Sequence, residues 1–361
     1  MTDNLLTHLT RLTGFSGAPG FEDQVRNYLK KNMEDCGIKD IFIDGLGNLL
    51  CTIQGTDPAA GCIHFDAHMD EPAFMVKYID PAGFIYITPL GYFSDMMTLG
   101  QRVVVSTPAG EVPGVFCVKS FHMKDGKSSN IIDMEDMWID IGATSEQEVK
   151  KAGIRPGRAV TFFSPLTRLG NDLIMAKALD NRAACAVLLC ALEELSQNPP
   201  VATIVFSFTV QEEFLLRGAH TVFPAIAHAF GFTPSVSICL DIAVAGDLPG
   251  TPYHRAPLTM GKGFGIKLRD KSSVSSFSHV VPHKLVDVME AVAVKAGLPY
   301  QYDFLSGCTN AEIFALQELG IPCGGIGIPC RYIHSPVEMV HIDDLLNAQK
   351  YVQALGNYKD F

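Results

Sequence analysis

The run Ala202-Thr-Ile-Val-Phe-Ser-Phe-Thr-Val210 is largely apolar, rich in β-branched residues and free of charge. A run of that kind reads as a strand buried on both faces. Burial on both faces requires helices above and below, which points to an α/β sheet. Gln211-Glu212-Glu213 follows at once. In open α/β sheets ligands bind at the carboxyl ends of strands, although acidic residues are also ordinary at a solvated strand end. Adjacent strand residues point to opposite sides, so Glu212 and Glu213 are expected to do different work.

The 361 residues are long for one core and suggest two domains. A net charge of −11 argues against nucleic acid and anionic membrane surfaces as partners, and suits a protein that holds divalent cations. No apolar run approaches the roughly 18 residues of a membrane span, and the first residues lack a signal-peptide pattern. The ten cysteines are scattered, with no Cys-x-x-Cys, and read as buried free thiols. A cytoplasmic location is expected.

Residues 4–35 carry helical periodicity, broken by Ser16-Gly-Ala-Pro-Gly20; a strand pair over 40–44 and 49–53 follows. From 72 to 165 short strand-like runs (84–88, 102–106, 115–118 and 159–163) alternate with turn residues. Thr107-Pro-Ala-Gly110 signals a hairpin, and the capping box Ser145-x-x-Glu148 opens a helix ending at Gly153. After 166 the order is strand, helix, strand, helix: helices over 180–195, 286–296, 311–319 and 342–355, strands over 202–210, 236–240 and 324–328. The expected fold class is therefore α/β, a mainly parallel sheet covered by helices on both faces. Residues 1–71 are too few for their own core and join 166–361, which makes 72–165 an inserted β-rich, barrel-like domain.

Five segments pair an apolar run with metal-ligand side chains: His68 with Asp70, Asp180, Glu212 with Glu213, Asp241, and His334. Each alone is weak, but five at one sheet edge would converge on a cleft. Imidazole and carboxylate donors without thiolate suit Zn²⁺, Co²⁺ or Mn²⁺. Two imidazoles and three or more carboxylates exceed what one ion with an open position needs, and match two ions sharing a carboxylate. Asp70 lies two residues past His68, on the same face, and could accept its second ring N–H. Glu71 should face away as ordinary surface.

These residues carry a resemblance. Ala67-His-Met-Asp-Glu71, Gly100-Gln-Arg-Val103, Asp140-Ile-Gly-Ala-Thr-Ser145, Ala178-Leu-Asp-Asn-Arg182, Val210-Gln-Glu-Glu213, Leu216-Arg-Gly-Ala219, Asp241 with Ala245-Gly-Asp-Leu-Pro-Gly250, and Ile328-Pro-Cys-Arg-Tyr-Ile-His-Ser-Pro-Val-Glu-Met339 follow in order along the chain. They resemble the M42 family of dinuclear metallo-aminopeptidases, the glutamyl- and tetrahedral-aminopeptidase group. The resemblance implies His68, Asp180, Glu213, Asp241 and His334 as ligands of two divalent ions, Zn²⁺ or Co²⁺, with Asp180 bridging. It makes Glu212 the general base, Asp70 the partner of His68, and the β-rich domain a dimerisation domain in homo-oligomers, dimers that can build into dodecamers. It also implies peptides with a free N-terminus as substrates.

The chain departs from the family pattern in three places. The family usually shows Gly-Gly-Thr-Asp-Ala-Gly where this chain has Gly307-Cys-Thr-Asn310-Ala-Glu312. Phe214-Leu215 replaces Val-Gly, and Pro72-Ala73 follows Glu71. The expected reaction is hydrolysis of an N-terminal amide bond. The alternatives are another two-metal amidohydrolase (a carboxypeptidase or N-acyl deacylase) or a non-catalytic metal-binding scaffold. A glycosidase needs two carboxylates and no metal, which five ligand-type segments argue against. Asp247 has no role that spacing supports, the lysines at 119–127 read as a solvated loop, and His279 and His283 make no helical pair across Pro282.

Overall fold

The charge-free run becomes a strand because helices do cover both of its faces. The computed structural model describes residues 2–118, 134–271, 278–304 and 307–359, so the lysine-bearing loop at 119–127 lies outside the described residues. Two helices begin the chain, α1 (Thr2–Gly14) and α2 (Asp23–Asp35). Leu5, Leu9 and Leu12 form the buried stripe of α1. Strands β1 (Ile41–Ile43) and β2 (Leu49–Ile53) pair antiparallel. Their turn is held by Asp44, whose Oδ1 accepts from the N–H groups of Leu46, Gly47 and Asn48 at 2.9–3.0 Å. Strand β3 (Cys62–His68) is buried throughout.

The chain then builds a closed barrel from β4 (Ala73–Ile79), β5 (Ile85–Leu90), β6 (Arg102–Thr107), β7 (Gly110–Cys117), β8 (Trp138–Asp140) and β9 (Ala159–Phe162), in the order β4-β5-β8-β7-β6-β9. Short helices α3 (Asp95–Thr98) and α4 (Glu146–Lys151) lie between its strands. The aromatic rings of Phe74, Phe93, Phe116 and Phe162 fill its core. Strand β4 carries no alternation in the sequence because a register shift between Val76 and Tyr78 interrupts its pairing with β5. Ser145 caps α4 as its spacing predicts, accepting from the Glu148 N–H. The Glu148 carboxylate, however, turns to the Thr144 N–H at 2.7 Å, one residue earlier than in a capping box.

Beyond the barrel come β10 (Thr167–Leu169), β11 (Leu173–Ala176), α5 (Leu179–Gln197), β12 (Thr203–Thr209), α6 (Ala219–Phe230), β13 (Val236–Val244), β14 (Phe264–Lys267), β15 (Arg269–Lys271) and β16 (Ser278–Val280). The chain closes with α7 (His283–Ala296), β17 (Tyr300–Asp303), α8 (Ala311–Phe314), β18 (Cys323–Arg331), β19 (Glu338–His341) and α9 (Ile342–Gly356). The eleven-stranded sheet follows the path β1-β2-β12-β3-β13-β18-β19-β11-β10, with β14 pairing β18 off this path and β17 pairing β14. It is mixed: the central strands β12, β3, β13 and β18 run parallel, and the flanking pairs along this path are antiparallel. Helices α1, α5 and α9 pack together on one face. The other face is covered by Phe223 and Ile226 of α6 and Ile313 and Phe314 of α8.

The helix expected over 311–319 is regular only to Phe314. Leu316 and Gln317 then bond three residues back, to Ile313 and Phe314, and Glu318 takes φ +53°. All ten cysteines are free. Among the described residues no helix is long and apolar enough to cross a membrane.

Leu188 sits fully buried in α5 between the sheet and the α1–α9 layer. Leu188→Ala should cost about 2–5 kcal/mol, read as a lower urea midpoint in equilibrium unfolding. A loss below about 1 kcal/mol would mean that this layer is not the tightly packed core described.

Candidate metal centre

The parallel strands β3, β12, β13 and β18, with β11 beyond them, bring five chain segments to one sheet edge. His68 is the last residue of β3, and Asp70 lies two beyond it. Asp180 opens α5, four residues past the end of β11. His334 lies three past β18. Asp241 sits inside β13 rather than after it, because that strand continues to pair with β18 as far as Val244 and Cys330. Glu212 and Glu213 lie beyond β12, which ends at Thr209, in a turn where Gln211 has φ +54°. Strand alternation therefore does not govern them; the turn aims them.

The side chains converge. His68 Nε2 lies 3.1 Å from Asp180 Oδ1, 3.6 Å from Asp241 Oδ1 and 3.8 Å from Glu212 Oε2. His334 Nε2 lies 3.5 Å from Asp180 Oδ2 and 3.4 Å from Glu213 Oε2. Donors held about 2.0–2.1 Å from one tetrahedral ion stand about 3.3 Å apart. Around Asp180 the spacings fall close to that value, once for each of its oxygens. Two three-donor groups could hold an ion: His68, Asp180 and Glu213, and His68, Glu212 and Asp241. Glu213 Oε1 is buried without a hydrogen-bond partner, as expected of a donor aimed at a cation. A third group, His8, Cys190 and Glu193, is different. There both His8 nitrogens are engaged, by Tyr28 at 2.8 Å and Glu193 at 3.0 Å.

Two carboxylates hold the donors in place from behind. Asp70 accepts the backbone N–H groups of Glu212 and Glu213, one on each oxygen, both at 3.0 Å. Asp70 Oδ1 also lies 3.5 Å from His68 Nδ1, the contact its spacing suggested. Glu338 does the same for the other side, accepting from Asp180 N at 2.9 Å and His334 N at 2.8 Å. Glu22 accepts from Gln211 N at 3.1 Å. The sequence reading missed Glu338 and Glu22. Glu338 stands in a quoted stretch four residues past His334 and was within reach, whereas nothing links Glu22 to a residue 189 positions away.

Glu71 is not surface. It is 2 % exposed, and its oxygens meet Lys177 Nζ at 2.7 and 2.8 Å. Asp247 gains a role as a fork for Arg331, with contacts of 2.9 and 2.6 Å. His279 is also buried, its Nε2 2.8 Å from the Cys323 carbonyl. The departing residue Asn310 donates to Asp66 and to Thr209, both at 2.8 Å, behind the donor set.

The arrangement is strained and electrostatically loaded. Positive φ at non-glycine residues occurs at Ala178, Gln211, Leu215, Leu216, Tyr332 and His334, all within five residues of a converging side chain or at one, and otherwise at Glu318. Burial, reinforced by the Asp180 charge and opposed by His334, pushes Glu213 up to about 8. Burial also raises Glu212 and Glu338 well above the usual carboxylate range. Burial works against a charged His68, but Glu212 and the bonds to Asp180, Asp241 and Asp70 outweigh it, so its pKa stands well above the ordinary value. Burial would raise Asp180 too, yet its bonds to His334 and His68 hold it low. So many buried carboxylates in one place favour cations strongly.

Known proteins share these features. The family model described as M42 glutamyl aminopeptidase matches residues 47–351. A putative aminopeptidase of Acetivibrio thermocellus is 35% identical over 349 residues, 96% of this chain and 97% of its own. An aminopeptidase structure from the archaeon Desulfurococcus kamchatkensis superposes with a TM-score of 0.91 at 32% identity, covering 100% of this chain and 96% of that one. The TET1 peptidase of Pyrococcus horikoshii, described as assembling into a tetrahedron or a large octahedral shell, gives 0.84 at 25% identity, covering 98% and 99%.

A carboxyl whose folded pKa lies above its unfolded value holds extra protons when folded, so stability falls as pH rises between the two. For Glu213 that window runs from 4.5 to about 8. The raised His68 and His334 act in the same sense, since their stabilisation is lost as pH climbs through the folded pKa. Chelator-stripped protein should therefore melt at falling temperature from about pH 5 to about pH 8, and Zn²⁺ should restore the loss. A melting temperature of stripped protein that rises over that interval would contradict this account of the cluster.

Proposed function

The chain belongs to the M42 glutamyl aminopeptidase family and is a peptidase, and from that premise we propose that it removes residues from the free N-terminus of peptides at the converging donor set. In this reading His68, Asp180 and Asp241 would hold one divalent ion, and His334, Asp180 and Glu213 would hold a second. The observation that carries it is Asp180, whose two oxygens approach different imidazoles at 3.1 and 3.5 Å, as a bridging carboxylate would. Oxygen and imidazole donors without thiolate fit Zn²⁺ or Co²⁺. When bound, such ions supply Lewis acidity towards a carbonyl oxygen and make water more acidic.

The remaining work falls to the chain's own groups. Glu212 is the general base: it takes a proton from the attacking water and returns it to the leaving amine. Its backbone N–H is fixed by Asp70, so the carboxylate is aimed before substrate arrives. Asp70 also lies against the second ring nitrogen of His68 and so orients the imidazole. The excess of carboxylates favours a cationic α-amine, which would restrict action to chain ends. Asn310 bonds to Asp66 and Thr209 and leaves the donors untouched, which counts against a scaffold that has lost catalysis. By likeness to the Pyrococcus horikoshii peptidase, a homo-oligomer is proposed. Residues 72–165, which contain the barrel, are proposed as its dimerisation domain, with the rest of the chain catalytic.

Glu212→Gln should keep its metal content and lose about 10²–10⁴-fold in turnover of aminoacyl substrates. Wild-type activity should vanish with a chelator and return with Zn²⁺ or Co²⁺. Near-normal turnover by the variant would remove Glu212 from the role of base.

A further inference from the structure

Helix α1 buries His8 inside its apolar stripe, beside Leu5, Leu9 and Leu12. A polar ring on a buried face needs partners. Helix α5 sets Cys190 and Glu193 against it, three positions apart and so on one helix face. One ligand atom from each of the three residues lies within 4.8 Å of the other two: an imidazole nitrogen, a thiol sulfur and a carboxylate oxygen. His8 Nε2 and Glu193 Oε1 stand 3.0 Å apart. Cys190 and Glu193 come ten and thirteen residues after Asp180. At about 1.5 Å per residue that is roughly 15–20 Å along the helix, so the cluster is separate from the sheet-edge donors.

The groups around the trio are those that a ligating imidazole and carboxylate need. The Tyr28 hydroxyl lies 2.8 Å from His8 Nδ1. When the ring proton is on Nδ1 this hydroxyl accepts it, and the Nε2 lone pair then faces Glu193 Oε1. Two lone pairs at that separation repel unless a proton or a cation sits between them. Asn4 Nδ2 donates to Glu193 Oε2 at 2.6 Å and to Cys190 Sγ at 3.8 Å, which leaves Oε1 turned to the ring. Donors held about 2.0–2.3 Å from one tetrahedral ion stand about 3.3–3.6 Å apart, so side-chain shifts of roughly 1 Å close the three atoms on it. His8 and Cys190 are buried and Glu193 is half-buried, so water can reach a fourth position. Burial pushes the Cys190 thiol up to about 12, and an ion must displace that proton as it binds.

We propose that His8 Nε2, Cys190 Sγ and Glu193 Oε1 form a separate cation site, one that takes a borderline-soft divalent ion such as Zn²⁺ and staples α1 to α5. Sulfur and nitrogen donors suit Zn²⁺ or Co²⁺, whereas Mg²⁺ and Ca²⁺ call for oxygen ligands. Tyr28 is a positioning residue, holding the imidazole with Nε2 free for the ion. The site stands apart from the peptidase reading, because the sheet-edge donors contain no thiolate.

The test is a Co²⁺ titration of the chelator-stripped full chain, followed by the near-ultraviolet charge-transfer band that a thiolate–Co²⁺ bond gives and imidazole or carboxylate bonds do not. Wild type should show the band. Folded Cys190→Ser should lose it and bind one Co²⁺ fewer per chain, and His8→Gln should lose it too. Tyr28→Phe keeps the ring but removes the acceptor, and should need about tenfold more Co²⁺ to reach half the band. Zn²⁺ should erase the wild-type band, and Mg²⁺ should leave it. No band in loaded wild type overturns the site without recourse to any variant, and leaves His8 and Glu193 as a plain ion pair. A band that survives in Cys190→Ser assigns it to another cysteine and overturns the site as well. An unshifted titration in folded Tyr28→Phe overturns the role of Tyr28.

Discussion

Everything at the sheet edge depends on keeping carboxylates charged where water is scarce. Asp70, Asp180, Glu212, Glu213, Asp241 and Glu338 are each at most 8 % exposed. Buried carboxylates of like charge raise one another's pKa and would take up protons if nothing opposed it. The chain opposes it in two ways. Asp70 and Glu338 each take two backbone N–H groups, and at Glu338 these bonds oppose the burial that still raises its pKa. The imidazoles of His68 and His334 do the same for Asp180. The same two imidazoles must also serve Glu212, Glu213 and Asp241, at 3.8, 3.4 and 3.6 Å, and two imidazoles for four carboxylates is the shortfall that argues physically for cations.

Clamps of the same kind, from Glu338 and Glu22, hold the strained loops. Gln211, His334 and Ala178 hold left-handed backbones that bulkier residues rarely adopt. Each lies at or beside a backbone N–H that a buried carboxylate accepts: Gln211 N by Glu22, His334 N by Glu338, and Asp180 N, two residues past Ala178, also by Glu338. Strain and clamp belong together, since a loop that must aim a side chain inward cannot follow the backbone geometry of the strand before it. The parallel strands deliver the residues, and the clamped turns aim them.

This division decides what could be read from the sequence. An apolar run followed by His, Asp or Glu is a local pattern, so His68, Asp180, Asp241, His334 and the Glu212–Glu213 pair were visible at their positions. Their convergence follows from sheet order, which the alternation of strands and helices suggested. The clamps were not visible, because an acid that accepts a backbone N–H looks like any other acid and its partner can be 158 or 189 residues away. Glu71 was misjudged for the same reason: Lys177, which buries it, lies 106 residues on. The argument from strand alternation for Glu212 and Glu213 does not apply past the strand end, where a turn sets their directions. Strand β4 was lost to a register shift, and the edges of the sheet turned out antiparallel because short hairpins, which helical crossovers do not constrain, extend it.

The architecture sets the donor set apart from the barrel stretch of the chain beside it. The donor set belongs to the sheet, where β3, β12, β13 and β18 lock one another in register, so a change there disturbs several donors together. A pocket beside it takes Phe93 and Phe162 from the barrel stretch of the chain. Phe93 follows β5 in a connecting segment and Phe162 ends β9, and neither approaches the donors through the sheet's hydrogen bonds. Substitutions at Phe93 or Phe162 therefore reach the donor set only through the pocket wall that they share with His334 and Glu338.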